Sequence, residues 1–328
     1  MRKRIVLALA ALLAIAGCGS SSGSKDSISL VAYSTPKEAY VDLIPAFQTT
    51  PAGKGVKFTQ SYGASGDQSR AVDSGLHADV VAFSLEPDVT RLVKDGIVDA
   101  GWSANPHKGM VTDSVVVFAV RKGNPKHIRT WQDLAKPGVG VIEANPFTSG
   151  GARWNVMAAY GAQLKQGKTH EQAVEYLGRL FKNVSVQDKS AREELQTFAG
   201  GKGDVMIAYE NEAITAQQKG IKLDYVIPDQ TILIENPIAV TKKAGDPAKA
   251  KAFLSFLWTR QAQRIFASKG YRPVDSSLVD PRKFPTPKTL FTIQKFGGWK
   301  PVVDKFFDPQ KGIVAGIERK LGVSTGSG

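Results

Sequence analysis

Three strand-to-helix turns in this sequence carry the same chemistry. In "TSGGARW" Ser149 is followed by Gly150 and Gly151, in "SYGASGDQ" Ser65 is followed by Gly66, and in "QDKSAREELQTF" Ser190 and Ala191 open a helix. Serine is a good N-cap because its hydroxyl accepts a backbone N–H of the first turn. Glycine leaves the backbone of that turn open to close approach. The N–H groups of a first helical turn have no carbonyl one turn back to bond, and the helix dipole places partial positive charge there. Such a turn is a ready anion site. Each turn taken singly is an ordinary capped helix, whereas the three together point to one anion held between them.

The elements that position these turns follow from β-branched runs alternating with helical patterns. "SISLVAYS", "VKFTQSYG" and "ADVVAFS" read as strands, leading respectively into a helix near Pro36, a helix after Ser65, and the helix "EPDVTRLVKDG". The rhythm continues through "DSVVVFAVRKG", "GVGVIEANP", "VSVQD", "DVMIAYE" and "KLDYVIP", and from Asp246 a long amphipathic helical stretch follows. Such alternation predicts an α/β fold with a mainly parallel sheet flanked by helices. So many strands divide more readily into two sheets than they build one very wide one. "VVVFAVRKGNP" around Val117 and "ILIENPIAVTKK" around Pro237 are expected to be strands crossing between two lobes. That assigns 28–117 and 238–328 to lobe one and 118–237 to lobe two, with a ligand cleft between them.

The chain starts "MRKRIVLALAALLAIAGC", a basic start, an apolar run from Ile5 to Ala16 and then small residues. This is an export signal peptide over 1–17, too short for a comfortable membrane span. Its end, "IAGC", resembles the lipobox of bacterial lipoproteins, which implies that Cys18 is lipidated and becomes the mature N-terminus. Residues 18–27 then form a Gly/Ser-rich flexible tether. The body is expected to be extracytoplasmic, anchored by lipid to the outer face of the cytoplasmic membrane. Cys18 is the single cysteine, so no internal disulfide forms, and His77, His107, His127 and His170 lack metal-ligand spacing. Neither a metal nor a cofactor is expected. The formal net charge is +13, and +10 once Arg2, Lys3 and Arg4 leave with the signal. These charges are dispersed, with no basic run interleaved with aromatics, which argues against nucleic acid as a partner.

"SYGASGDQ", "VRKGNPKHIRTWQDLAKPGV", "NPFTSGGARWN", "LFKNVSV", "GDVMIAYENEA" and "FGGW" run in order over residues 28 to about 308. In this combination the chain is similar to the sulfate- and thiosulfate-binding proteins of bacterial ABC importers. The resemblance implies a two-lobed periplasmic-binding-protein fold that closes over a dehydrated oxyanion and, as a monomer, delivers it to permease subunits served by a cytoplasmic ATPase. It also implies the ligand-binding residues. Ser34 stands where the family commonly has an aspartate that donates through its backbone N–H. Ser65 matches the serine of the second turn, and Ser149, Gly150 and Gly151 match the serine-glycine-glycine cradle. Ala191 matches the backbone donor of the third helix, preceded here by Ser190 rather than the usual glycine. Tyr209 stands where sulfate binders carry a tryptophan; a phenol can still donate, but the ring is shorter.

A donor-only set suits sulfate on chemical grounds as well. Sulfate is fully ionised at neutral pH and needs donors alone, whereas phosphate keeps a proton that calls for an acceptor. No Asp or Glu occurs within "TSGGA" or "GASG", although Asp67 and Glu210 lie just outside such turns. Sulfate is therefore the expected ligand. Thiosulfate stays open because of Tyr209, with molybdate and phosphate as further alternatives. The rival class is a lipid-anchored serine hydrolase, but no G-x-S-x-G elbow occurs and no histidine lies in a motif-like context to activate Ser65 or Ser149. No catalytic residue is expected.

Overall fold

The computed structural model describes residues 26–323 and 325. The stretch read as an export signal, Cys18 and most of the expected tether lie outside these residues. In chain order the first part holds β1 (Ser27–Tyr33), α1 (Lys37–Gln48), β2 (Lys57–Gly63), α2 (Ser65–Asp73), β3 (Val80–Ala82) and α3 (Glu86–Lys94). The long strand β4 (Met110–Arg121) leads to α4 (Trp131–Leu134), β5 (Val141–Ala144), α5 (Gly150–Lys165), α6 (His170–Lys182), β6 (Val184–Asp188) and α7 (Ala191–Ala199). Next come β7 (Val205–Tyr209), α8 (Glu210–Gln218), β8 (Leu223–Val226) and a second long strand, β9 (Gln230–Val240). The chain closes with α9 (Pro247–Leu257), α10 (Arg260–Ser268), β10 (Thr289–Phe291), α11 (Trp299–Val302) and α12 (Ile313–Lys320).

The strands form one curled sheet in the order β2-β1-β3-β9-β4-β7-β5-β6, with β10 beside β9 and β8 beside β4. At one end β2, β1 and β3 are parallel, and at the other β7, β5 and β6 are parallel, as βαβ alternation requires. The middle departs from the expected parallel pattern, because the pairs β3–β9, β9–β4 and β4–β7 are all antiparallel. The cause is the pair of long strands. Strand β9 pairs β3 through Ile238–Val240 and β4 through Leu233–Pro237, while β4 continues onto β7 through Val116–Val120. Each therefore belongs to both halves of the sheet. Pro237 has no N–H for the ladder, and it sits where the β4–β9 register shifts between Met110 and Thr112. A bulge of this kind is what admits proline to a central strand.

The stretch after Asp246 is two helices, not one. Thr259 takes extended backbone angles and its hydroxyl accepts the Ala262 N–H at 3.3 Å, so a new helix starts there. Helix α5 is apolar on nearly every side, burying Trp154, Val156, Met157, Ala158, Ala159 and Ala162, which is the pattern of a core helix. Its rigid seating fixes the direction of its N-terminus. Among the described residues no helix is long and apolar enough to cross a membrane.

Candidate functional site

The strand ends and helix starts picked out by their residue types converge on one buried cavity. Tyr33, Ser34 and Thr35 reach it from the end of β1, and Gly63, Ala64 and Ser65 from the β2–α2 turn. Ser84 reaches it from just beyond β3, Ser149 and Gly151 from the start of α5, Ser190 and Ala191 from the start of α7, and Tyr209 from the end of β7. The space between these residues is small, about 230 Å³ with the open solvent at its mouth counted. No carboxylate, lysine or arginine lines it. Burial pushes the phenol of Tyr209 well above its usual range, so it stays a neutral hydroxyl. The helices α2, α5 and α7 all begin at this cavity, so their positive dipole ends add there, although the Gly66 N–H is already taken by the Thr148 carbonyl at 3.1 Å.

The two serines of the turns are placed differently. The Ser149 hydroxyl caps α5 by accepting the Ala152 N–H at 3.4 Å, which leaves its own proton free to donate. The Ser65 hydroxyl accepts the Ser84 N–H at 2.9 Å and donates to the buried Asp88 Oδ2 at 2.6 Å. Its one proton is thus already used, and Ser65 has its backbone N–H to offer the cavity. Ser190 caps α7 by accepting the Glu193 N–H at 3.4 Å. Tyr209 shares a 2.7 Å hydrogen bond with the Ser84 hydroxyl, in which either oxygen can be the donor.

The adjacent glycines also differ. Gly150 does not line the cavity; a Cβ there would lie 2.8 Å from Leu85 Cδ2 and 2.9 Å from Ser84 Cβ. Its lack of a side chain lets α5 pack against the turn after β3. A Cβ on Gly151 would meet Ser149 Oγ at 3.4 Å and Tyr209 Cε1 at 3.6 Å, within the cavity itself. Ser34 lines the cavity, and its carbonyl accepts from Arg192 Nη2 at 3.3 Å. That arginine also bonds Glu38 at 3.0 Å, tying α7 to α1. Asp67 and Glu210 stay out of the cavity. Asp67 pairs with Arg70 at the surface, and the buried Glu210 is held by Arg272 Nε and Nη2 at 2.7 and 3.0 Å.

Tyr33, Thr35, Gly63, Ala64 and Ser84 line the cavity without being singled out by the sequence, and Ser84 is the most consequential of them. Its carbonyl accepts the indole N–H of Trp154 at 2.8 Å and the amide of Asn236 at 2.9 Å, while its hydroxyl faces Tyr209. The available signal was positional, since "ADVVAFSLEPD" is one more strand-to-helix turn with a serine at its corner.

Residues 28–272 match the family model described as bacterial extracellular solute-binding protein. The sulfate-binding protein of Synechococcus elongatus is 44% identical over 319 residues, which are 92% of this chain and 91% of that one. The thiosulfate-binding protein of Escherichia coli is 36% identical over 93% of this chain and 94% of its own. Among solved structures, the sulfate-binding protein SubI from Mycobacterium tuberculosis H37Rv superposes with a TM-score of 0.82 at 45% identity, covering 85% of this chain and 98% of that chain. Three helix N-termini facing one small neutral cavity, in a curled α/β sheet crossed twice by long strands, are the setting of these matches. The chain belongs to the bacterial extracellular solute-binding proteins, in the group of sulfate- and thiosulfate-binding proteins.

Proposed function

We propose that this chain captures sulfate in the cavity at the starts of α2, α5 and α7 and hands it to the permease subunits of an ABC importer. The observation that carries this reading is the lining, in which every side chain is neutral and no carboxylate is present to accept a proton from the ligand. A dianion without protons is satisfied by such a set, whereas a protonated oxyanion leaves its own donor unmatched. The proposed donors are the backbone N–H groups of Ser34, Ser65, Gly151 and Ala191 and the hydroxyls of Ser149 and Tyr209; Gly150, expected from the sequence to join them, packs against Ser84 and Leu85 instead. Thiosulfate is the alternative ligand, favoured by the change to tyrosine at position 209 and by the thiosulfate-binding relative.

The chain acts as a monomer whose lobes, 28–117 with 238–328 and 118–237, close over the anion. Cys18 carries a lipid that anchors it outside the cytoplasmic membrane, after removal of residues 1–17. Binding without catalysis is supported by the partner of Ser65, which is the carboxylate of Asp88 and not an imidazole. Calorimetric titration of the ligand-free protein with sulfate tests the reading. One site is expected, and Ser149→Ala should lower its affinity by more than about tenfold, from a charge-assisted hydrogen bond of about 1.5–3 kcal/mol. Unchanged affinity in Ser149→Ala would place the anion elsewhere.

A further inference from the structure

A second cavity, of about 390 Å³, shares no lining residue with the first. Arg70 reaches it from α2, Arg91 from α3 and Arg153 from α5, and Phe147, Phe307 and Pro309 give it an apolar wall. The contacts of the three arginines do not use up their hydrogen-bonding capacity. Arg70 pairs with Asp67 through Nη2, and Arg91 Nη1 donates to Ser69 Oγ at 2.9 Å and lies 3.6 Å from Asp88. Arg153 donates through Nε to the Pro146 carbonyl at 2.7 Å and lies 5.2 Å over the Phe307 ring. Its terminal nitrogens have no partner among the described residues. Two carboxylates also line the cavity, but both are engaged: Asp304 with Lys300 at 3.3 Å, and Asp308 with the N–H groups of Gln310 and Lys311, each at 2.9 Å.

Burial lowers the pKa of Arg153 to about 10; the charge of Asp88 opposes this, and those of Arg91 and Arg70 add to it. The guanidinium is still charged at neutral pH. The lining thus carries three cations against two carboxylates, and an anion set between the guanidiniums, where Arg153 keeps its terminal nitrogens free of partners among the described residues, relieves their mutual repulsion.

We propose that this cavity is a second anion site, for an oxyanion that carries an apolar group: an organic sulfonate, a sulfate ester or a phosphate monoester. The guanidinium fork matches two oxygens of such a head group. The apolar wall of Phe147, Phe307 and Pro309 accepts the organic part, and the volume falls in the range of small-molecule pockets. The first cavity has neither the cations nor the room, so the two sites take different members of one chemical class. This inference stands independently of which inorganic anion fills the first cavity.

The test is calorimetric titration of p-toluenesulfonate and, separately, phenyl phosphate into the full chain saturated with sulfate. The expected result is one saturable site for at least one probe, the tighter probe naming the class. Arg153→Gln and Arg70→Gln should each weaken it by about tenfold or more, the loss expected for a hydrogen bond to a charged group. Both variants should leave the sulfate titration unchanged. Arg70 is part-exposed, so Arg70→Gln keeps the test available if Arg153→Gln fails to fold. Absence of saturable heat with both probes, displacement of the bound probe by sulfate, or binding unaffected by either variant that folds would overturn the proposal.

Discussion

Gly150 and Gly151 stand side by side, yet the structure assigns them opposite consequences on gaining a methyl group. At Gly150 the new carbon would lie 2.8 Å from Leu85 Cδ2, 2.9 Å from Ser84 Cβ and 3.0 Å from Ser84 Oγ. Leu85 is fully buried, and Ser84 is fixed through its carbonyl by Trp154 and Asn236, so neither has a free direction in which to yield. Gly150→Ala is therefore an overpacking substitution and should lower stability by about 1–3 kcal/mol. At Gly151 the nearest contact is 3.4 Å, to Ser149 Oγ, which is ordinary packing. The fold should accept Gly151→Ala, with a gain of up to about 1 kcal/mol from alanine over glycine in a helix. That methyl, however, stands in the space between Ser149 and Tyr209 and keeps the anion off the first-turn N–H groups. Loss of one charge-assisted hydrogen bond, about 1.5–3 kcal/mol, corresponds to about tenfold or more in affinity. Urea unfolding without ligand, together with sulfate calorimetry, separates the two effects. A Gly150→Ala protein as stable as the parent, or a Gly151→Ala protein that binds sulfate with unchanged affinity, would refute the packing argument.

Ser65→Ala should act mainly on stability, because it strips the buried Asp88 of a 2.6 Å donor and the Ser84 N–H of its acceptor. A loss of about 1.5–3 kcal/mol in urea unfolding is expected for the charged bond alone. Tyr209→Phe removes the 2.7 Å link to Ser84 and one proposed donor, so sulfate should bind more weakly while phosphate, tested by competition, gains nothing. Glu212 is buried and caps α8 by accepting the Tyr209 N–H at 3.2 Å; burial pushes its pKa up to about 7. The unfolded chain releases this proton near pH 4.3, so the folded state holds more protons from there to about pH 7, and stability falls as pH rises through that window. Burial raises Glu143 and Glu194 as well, with the same sign. The thermal midpoint should drop between about pH 5 and 8, and Glu212→Gln should make the drop shallower; a midpoint that rises over this range would contradict the assignment.

The α/β alternation and the two crossing strands were legible because hydrophobic period and chain order are local properties. Strand direction was not, since nothing local to "ILIENPIAV" says that it runs antiparallel to β3 and β4. The starts of α5 and α7 announced themselves through the caps Ser149 and Ser190, whereas at α2 the serine expected to cap is the first helical residue, the N-cap is Ala64 without a side-chain bond, and only the small neighbours marked the turn. Which atoms of those turns are free was hidden. The Ser65 proton is taken by Asp88, which arrives from 23 residues away, and only packing reveals that Gly150 faces Ser84 while Gly151 faces the cavity. Arg70, Arg91 and Arg153 look like dispersed surface charge in the sequence and meet only because α2, α3 and α5 meet.

The identity of the anion that the protein retains through purification bears most directly on the account. Protein prepared without added sulfate or phosphate is denatured, and the released anion is identified and counted by ion chromatography. A cavity of neutral donors with no acceptor for a ligand proton predicts sulfate, at one equivalent per chain and lost in Ser149→Ala. Stoichiometric phosphate, released from the parent protein and exchanged no more readily by sulfate at high pH than at low, would contradict it.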